Sequence, residues 1–281
     1  MHSYLPIYPV NFIAWGGEKT FETGKKQMFT ENYPGIRVED GVPRRITDDV
    51  IREDCFSLYL NNTHILEQVA SNDMLRELGA GFVIGEGLCD AVESVTVKGT
   101  DIWIEADVRR DVLPEMHPCG CDSVSQHVPR VVTSSLCISP RDVYAATAEI
   151  FSDAWQKTGG VHCSVLMQEG TLVAKSCDIG RHNTVDKVVG AAELQRMDRS
   201  LCYIGCTGRQ PSGMVRKVAH AGIPILISRA ATTDKGIALA QKVGVTLITF
   251  SREHRFTIFA HPERITGVND MLATMDGTSD D

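Results

Sequence analysis

The chain has 281 residues, 43% hydrophobic and 23% charged, the balance of an ordinary globular protein with length enough for one large or two smaller domains. No apolar run approaches the roughly 18 residues that cross a bilayer. "MHSYLPIYPVNFIAW" lacks the basic start and apolar run of a secretion signal, so a cytoplasmic protein with no membrane partner is expected.

Residues 1–30 have weak periodicity and many turn formers, and read as an irregular leader. "DCFSLYLNNTHILEQVAS" holds two apolar runs about Asn61-Asn62 and predicts a hairpin. Ser71 or Asn72 is placed to cap a helix through "DMLRELGAGFVIGEGL". "AVESVTVKGTDIWIEADV" alternates about Gly99-Thr100 and predicts a second hairpin. Residues 31–115 therefore form a small α+β domain. Residues 116–138 are loop-like.

From 139 to 265 the pattern changes. "SPRDVYAATAEIFSDAWQKTGG" reads as one helix, with Ser139 as N-cap, Pro140 at the first position and Gly159 at the end. "VHCSVLMQ" and "GTLVAKSCD" read as strands. Helical and strand patterns then alternate from "HNTVDKVVGAAELQRM" to "VTLITFS", which predicts βαβ units in a mainly parallel sheet. Residues 266–281 form a tail ending in acidic "MDGTSDD".

The loop carries "EMHPCGCDSVSQH", with Cys119 and Cys121 on either side of Gly120. In a reducing compartment, nine cysteines argue against a closed disulfide framework. A zinc deaminase-like hydrolase is a weak fit. Its sites pair P-C-x-x-C with an earlier His-x-Glu, whereas the His-x-Glu here, His261-Pro262-Glu263, follows the cysteines. In an extended segment the two α-carbons lie about 6.6 Å apart, near the outer limit for a disulfide. An accessible thiolate on a glycine-hinged loop suits sulfur transfer. Two inert loop thiols remain the plain alternative.

Three further clusters suit an anion. The net charge is −8, yet residues 177–255 carry 12 Lys and Arg against 6 Asp and Glu. That asymmetry favours one focused anionic ligand over broad nucleic-acid binding, unless the bases merely sit on solvated helix faces. "CDIGRHNTVDKVVG" places Arg181, His182, Asn183, Asp186 and Lys187 at a helix start, where free amides and the dipole favour negative charge. "GCTGRQPSGMVRK" sets Arg209 and Ser212 in a second strand-loop-helix turn, without the G-K-[ST] of a Walker loop. "FSREHRF", with Phe250, Ser251, Arg252, Glu253, His254 and Arg255, follows the last apolar strand, at the end where open α/β sheets bind ligands. Surface ion pairs of Arg252 and Arg255 with Glu253 or Glu263 are the plain alternative.

In order, "GFVIGEGL", "TGGVHCSVL", "DIGRHNTVDKVVG", "TGRQPSGMVRKVAHAGIPIL" and "GVTLITFSREHRF" resemble the formate dehydrogenase accessory sulfurtransferases, the FdhD family, over roughly residues 50–262. Departures from the family pattern are Cys119-Gly120-Cys121 for C-G-x-C, Cys177 where glutamate is usual, and a missing glutamate in "TGRQPSGMV". The resemblance implies a cytidine-deaminase-like three-layer α/β/α domain preceded by the smaller α+β domain. It implies a sulfurtransferase that receives sulfane sulfur from a cysteine desulfurase as a cysteine persulfide. Cys119 matches the first family cysteine, with Cys121 assisting or substituting. The acceptor implied is the molybdenum or tungsten bis(molybdopterin guanine dinucleotide) cofactor, bound as substrate through its guanine nucleotide before it enters formate dehydrogenase. A homodimer with no tightly bound metal of its own is expected. A cofactor-binding chaperone without sulfur chemistry is the second reading.

Overall fold

The computed structural model describes residues 30–109, 129–268 and 274. All of the predicted leader but its last residue, Cys119, Cys121 and most of the C-terminal tail lie outside the described residues.

An antiparallel hairpin opens the described chain, β1 (Thr30–Glu39) with β2 (Val42–Ile51). Sequence reading missed it, because its valines and isoleucines are interrupted by charges and prolines. The two predicted hairpins follow. β3 (Asp54–Leu60) and β4 (Thr63–Ala70) turn at Asn61-Asn62, both with positive φ, as short polar side chains tolerate. β5 (Ser94–Lys98) and β6 (Asp101–Glu105) turn at Gly99-Thr100. Together they make one sheet, ordered β4-β3-β6-β5.

Between the hairpins runs α1 (Leu75–Gly85). Its N-cap is Met74, in the left-handed region and without a side-chain cap. Ser71, one of the two expected caps, is engaged through its backbone instead: its amide donates to Asp178 Oδ2 at 3.0 Å, and its carbonyl accepts from Lys187 Nζ at 3.1 Å.

The expected long helix after residue 138 is two. α2 (Pro140–Glu149) begins with a capping box: Ser139 Oγ accepts from the Asp142 amide at 3.3 Å, and Asp142 Oδ2 accepts from the Ser139 amide at 2.8 Å. α3 (Asp153–Thr158) restarts at Ser152, whose hydroxyl caps the Trp155 amide, and ends at left-handed Gly159. Ser139→Ala is expected to lower unfolding free energy by about 1 kcal/mol, read by denaturant titration, because it removes the hydroxyl that accepts from the Asp142 amide and donates to Asp142 Oδ2. An unchanged midpoint with unchanged slope would show that water replaces the cap.

The remaining elements are β7 (His162–Gln168), β8 (Thr171–Asp178), α4 (Arg181–Leu194), β9 (Cys202–Cys206), α5 (Ser212–His220), β10 (Ile225–Ser228), α6 (Asp234–Val243), β11 (Thr246–Arg252) and β12 (Arg255–Ala260). The six strands form one sheet in the order β12-β11-β10-β9-β7-β8. It is mixed, not mainly parallel. Only β9-β10 and β10-β11 run parallel. β7 is antiparallel to both its neighbours, since Glu169 and Gly170, both at positive φ, fold β7 and β8 into a tight hairpin.

Helix α2 packs on one face of this sheet, and α4 on the other. The three-layer arrangement expected from the resemblance is present, and compatible with the cytidine-deaminase-like description. A single hydrophobic cluster runs from Phe56, Leu58 and Ile102 through α1 and α4 to Leu226 and Leu247.

Candidate functional site

The carboxyl ends of β9, β10 and β11 open on a cleft of about 520 Å³. Thr207, Arg229 and Arg252 stand at those three strand ends. Phe151 and Trp155 form the wall around α3, and His162 and Ile179 complete the far side. A neighbouring hollow shares Arg229 and Arg252, and adds Glu253, His254 and Arg255. This is where open α/β sheets take ligands.

Sequence reading put "FSREHRF" after the last strand. It forms the turn of a hairpin instead, because β12 returns antiparallel beside β11. The register slips between Thr249 and Arg252, and Phe250 sits at φ +53, partly exposed. Such a bulge re-aims the side chains beyond it. Ser251 is buried, its Oγ 2.5 Å from Thr147 Oγ1 on α2. It therefore anchors the hairpin and is not open to a ligand. Glu253 and His254 are almost fully exposed, 3.9 Å apart.

Arg229 lies with its guanidinium 4.1 Å from the centre of the Phe151 ring, a cation–π contact. Burial, then the Arg252 charge, push Arg229 below its ordinary value. Arg252 Nη1 donates to the Arg229 carbonyl at 2.5 Å. None of the ion pairs among the described residues involves Arg181, Arg209, Arg229, Arg252 or Arg255. The surface pairing with Glu253 or Glu263 is thus not what the arginines do. Glu263 pairs with His261.

The second cluster joins this one through His162, whose Nδ1 lies 3.1 Å from Thr207 Oγ1. Burial first, then the charges of Arg181 and Arg209, lower its basicity. Arg181 packs over Gly208, where an added Cβ would meet Arg181 Cβ at 2.9 Å. Its buried Nε has no partner. Arg209 is exposed, and Ser212 starts α5 half-buried. Gln210 fixes the turn between them, donating to the Gly208 carbonyl at 2.6 Å.

Three residues of the first cluster point inward. Asn183 is buried, donating to the Val69 carbonyl and Asp178 Oδ1, both at 2.8 Å. Lys187 is wholly buried, with Nζ 2.6 Å from Asp178 and 2.7 Å from Asp73. Asp186 faces Lys217, which also meets Glu86 at 2.8 Å. Burial pushes the Asp186 carboxyl up to about 7. These side chains are engaged in the interior and do not line the cleft. They brace the turn at Gly180, whose amide donates to Asp178 Oδ1 at 2.9 Å. His182 is held neutral, its basicity lowered to about 3 by burial and then by Lys217.

Sequence reading passed over Arg229, His162, Thr207 and Phe151. Arg229 was within reach: it directly follows the strand "ILIS", and the strand-end argument applied to Arg252 selects it too.

Fold and cleft together define a class, an α/β protein with an anion-receptive, arginine-lined mouth at its parallel strand ends. The model of the FdhD/NarQ family matches residues 51–266, and the chain belongs to that family. It is 33% identical over 245 residues to the sulfur carrier protein FdhD of Methanothermobacter thermautotrophicus, covering 82% of this chain and 96% of that one. Against the sulfur carrier protein FdhD of Wolinella succinogenes it is 30% identical, covering 78% and 82%. A crystal structure of a candidate formate dehydrogenase accessory protein from Desulfotalea psychrophila superposes with a TM-score of 0.72 at 28% identity, covering 84% of this chain and 99% of that one.

Proposed function

We propose that this chain is a sulfur carrier for formate dehydrogenase maturation. It takes sulfane sulfur from a cysteine desulfurase as a persulfide on Cys119, with Cys121 assisting, and passes it to the bis(molybdopterin guanine dinucleotide) cofactor. That cofactor is substrate, held through its diphosphates and guanine. On this reading the protein acts as a cytoplasmic homodimer. The observation that carries the reading is the cleft. Unpaired arginines from the strand ends converge there, and Phe151 and Trp155 offer apolar surface of the kind a purine stacks on. The names of the relatives support the sulfur step.

The transfer is thiol chemistry: a cysteine thiolate attacks the outer sulfur of the donor persulfide, that S–S bond breaks, a new one forms, and the donor leaves as thiolate. This loading step is redox-neutral, since sulfane sulfur moves from one thiol to another. The test is incubation with desulfurase and cysteine, followed by mass spectrometry and formate dehydrogenase activity. The expected result is one added sulfur on the Cys119 peptide, with loss of loading and maturation in Cys119→Ala, or in the variant also lacking Cys121. Full persulfide and full maturation in the variant lacking both Cys119 and Cys121 would overturn it. A double variant that binds the cofactor and still matures the enzyme would establish a chaperone without sulfur chemistry.

A further inference from the structure

Two cysteines outside the loop face each other beside the cleft. The β7-β8 register sets Cys163 directly opposite Cys177. Directly opposed residues of an antiparallel pair have α-carbons about 4.5–5.5 Å apart, inside the roughly 4.4–6.8 Å that a disulfide spans. None of the other described cysteines is paired in register with a second cysteine.

The two thiols differ in environment. Cys163 is buried in the cluster on the α2 side of the sheet, beside Ile150 and Val165. Cys177 lies on edge strand β8 and is partly exposed. The Cys163 thiol, opposed by burial and aided by the Ser152 hydroxyl and the Lys175 charge, pulls Cys177 down to about 7. Cys163 is correspondingly pushed up, by Cys177 and by burial. One sulfur is accessible and ready to ionise, and the other is a protonated neighbour. An accessible, low-pKa thiol beside a resolving thiol is the arrangement of a redox sensor. Ser152 caps α3 and lines the cleft, so a change at Cys177 reaches the cleft wall.

We propose that Cys163 and Cys177 form a reversible redox site that reacts with hydroperoxides. The Cys177 thiolate attacks the terminal peroxide oxygen, the O–O bond breaks and an S–O bond forms. Sulfur is oxidised by two electrons to the sulfenic acid, and the peroxide leaves as water or alcohol after protonation. Cys163 then attacks the Cys177 sulfur. Its proton leaves with the hydroxyl as water, the S–O bond breaks and the S–S bond closes. One peroxide thus converts two thiols to one disulfide, and a dithiol reductant restores them. The site does not depend on which ligand fills the cleft.

The test uses the reduced full chain, freed of reductant and treated with hydrogen peroxide near pH 7. Remaining thiols are blocked with N-ethylmaleimide and unreduced peptides are mapped. The expected product is a Cys163–Cys177 linked peptide that dithiothreitol abolishes. In Cys163→Ser, a dimedone-reactive sulfenic acid is expected to persist on Cys177, and in Cys177→Ser, Cys163 stays reduced. The inference is overturned if wild-type Cys177 remains maleimide-labelled while other cysteines oxidise, or if it bridges to a cysteine other than Cys163. The wild-type map decides even if a variant fails to fold.

Discussion

Gly81→Ala is expected to destabilise the protein by about 3 kcal/mol or more, the upper range for overpacking. For a chain of this size that is a fall in Tm of roughly 6–12 °C. The sign runs against helix propensity, since alanine for glycine in a helix interior normally gains about 1 kcal/mol. Gly81 lies where α1 crosses α4. A Cβ there would stand 1.8 Å from the Asp186 carbonyl oxygen and 2.8 Å from the Gly190 nitrogen. The reciprocal position is as tight, a Cβ on Gly190 falling 1.9 Å from the Glu77 carbonyl oxygen. Both obstacles are backbone, so the helices themselves must separate. That opens the core shared by the two sheets. Gly213→Ala is the control: it is also helical, and its nearest neighbour would be 4.0 Å away. Thermal unfolding of the three proteins decides. If Gly81→Ala matches Gly213→Ala, the close crossing is not a stability determinant.

That crossing also explains what sequence reading could and could not reach. Hairpins at Asn61-Asn62 and Gly99-Thr100 were legible because turn chemistry and period-two alternation are local. The N-cap at Ser139 and the end at Gly159 were legible for the same reason. The break between α2 and α3 was signalled by Ser152-Asp153, a second cap inside a run that otherwise kept helical spacing. Strand direction was not local. Nothing in "VHCSVLMQ" says that β9 will lie antiparallel beside it. The charged residues were misread most. Asp186 and Lys187 have the spacing of a solvated helix face, yet both are buried. Two of their partners, Lys217 and Asp73, come from distant segments, and Asp178 from the strand just before the helix. A buried charge is tolerated only when such partners exist, and one strand of text does not display them.

Those internal pairs bear on the cleft without entering it. Asp178 links the Ser71 amide, Lys187 Nζ, the Asn183 amide group and the Gly180 amide. It thereby fixes the turn that carries Arg181, and it ties the small sheet to the base of the anion-receptive loops. The Gly85 and Gly81 contacts press α1 against the same region, a Cβ on Gly85 meeting Lys217 Cγ at 2.5 Å. The α+β unit is therefore part of the scaffold that positions the site.

Removing the two strand-end arginines together, Arg229→Ala with Arg252→Ala, is expected to weaken binding of a guanine dinucleotide by roughly 2–5 kcal/mol, the range for truncated charge contacts at an interface. Both residues line the cleft and its neighbouring hollow. Neither has a carboxylate partner, so what is lost is attraction for an anion and not an internal ion pair. Arg229 should also report on stacking, because its guanidinium lies on Phe151 at 4.1 Å. Arg252 Nη1 also holds the Arg229 and Ser251 carbonyls, and losing those bonds costs folding about 1 kcal/mol. Arg255→Ala, exposed on the return strand, should have a smaller effect that higher salt largely removes. Persulfide loading should be unaffected in the double variant, since accepting sulfur requires no nucleotide. Calorimetry with a guanine dinucleotide at fixed salt, alongside thermal unfolding, separates the effects. Equal affinity in the wild type and the double variant would take the arginine cleft out of the nucleotide site and leave the sulfur chemistry standing on its own.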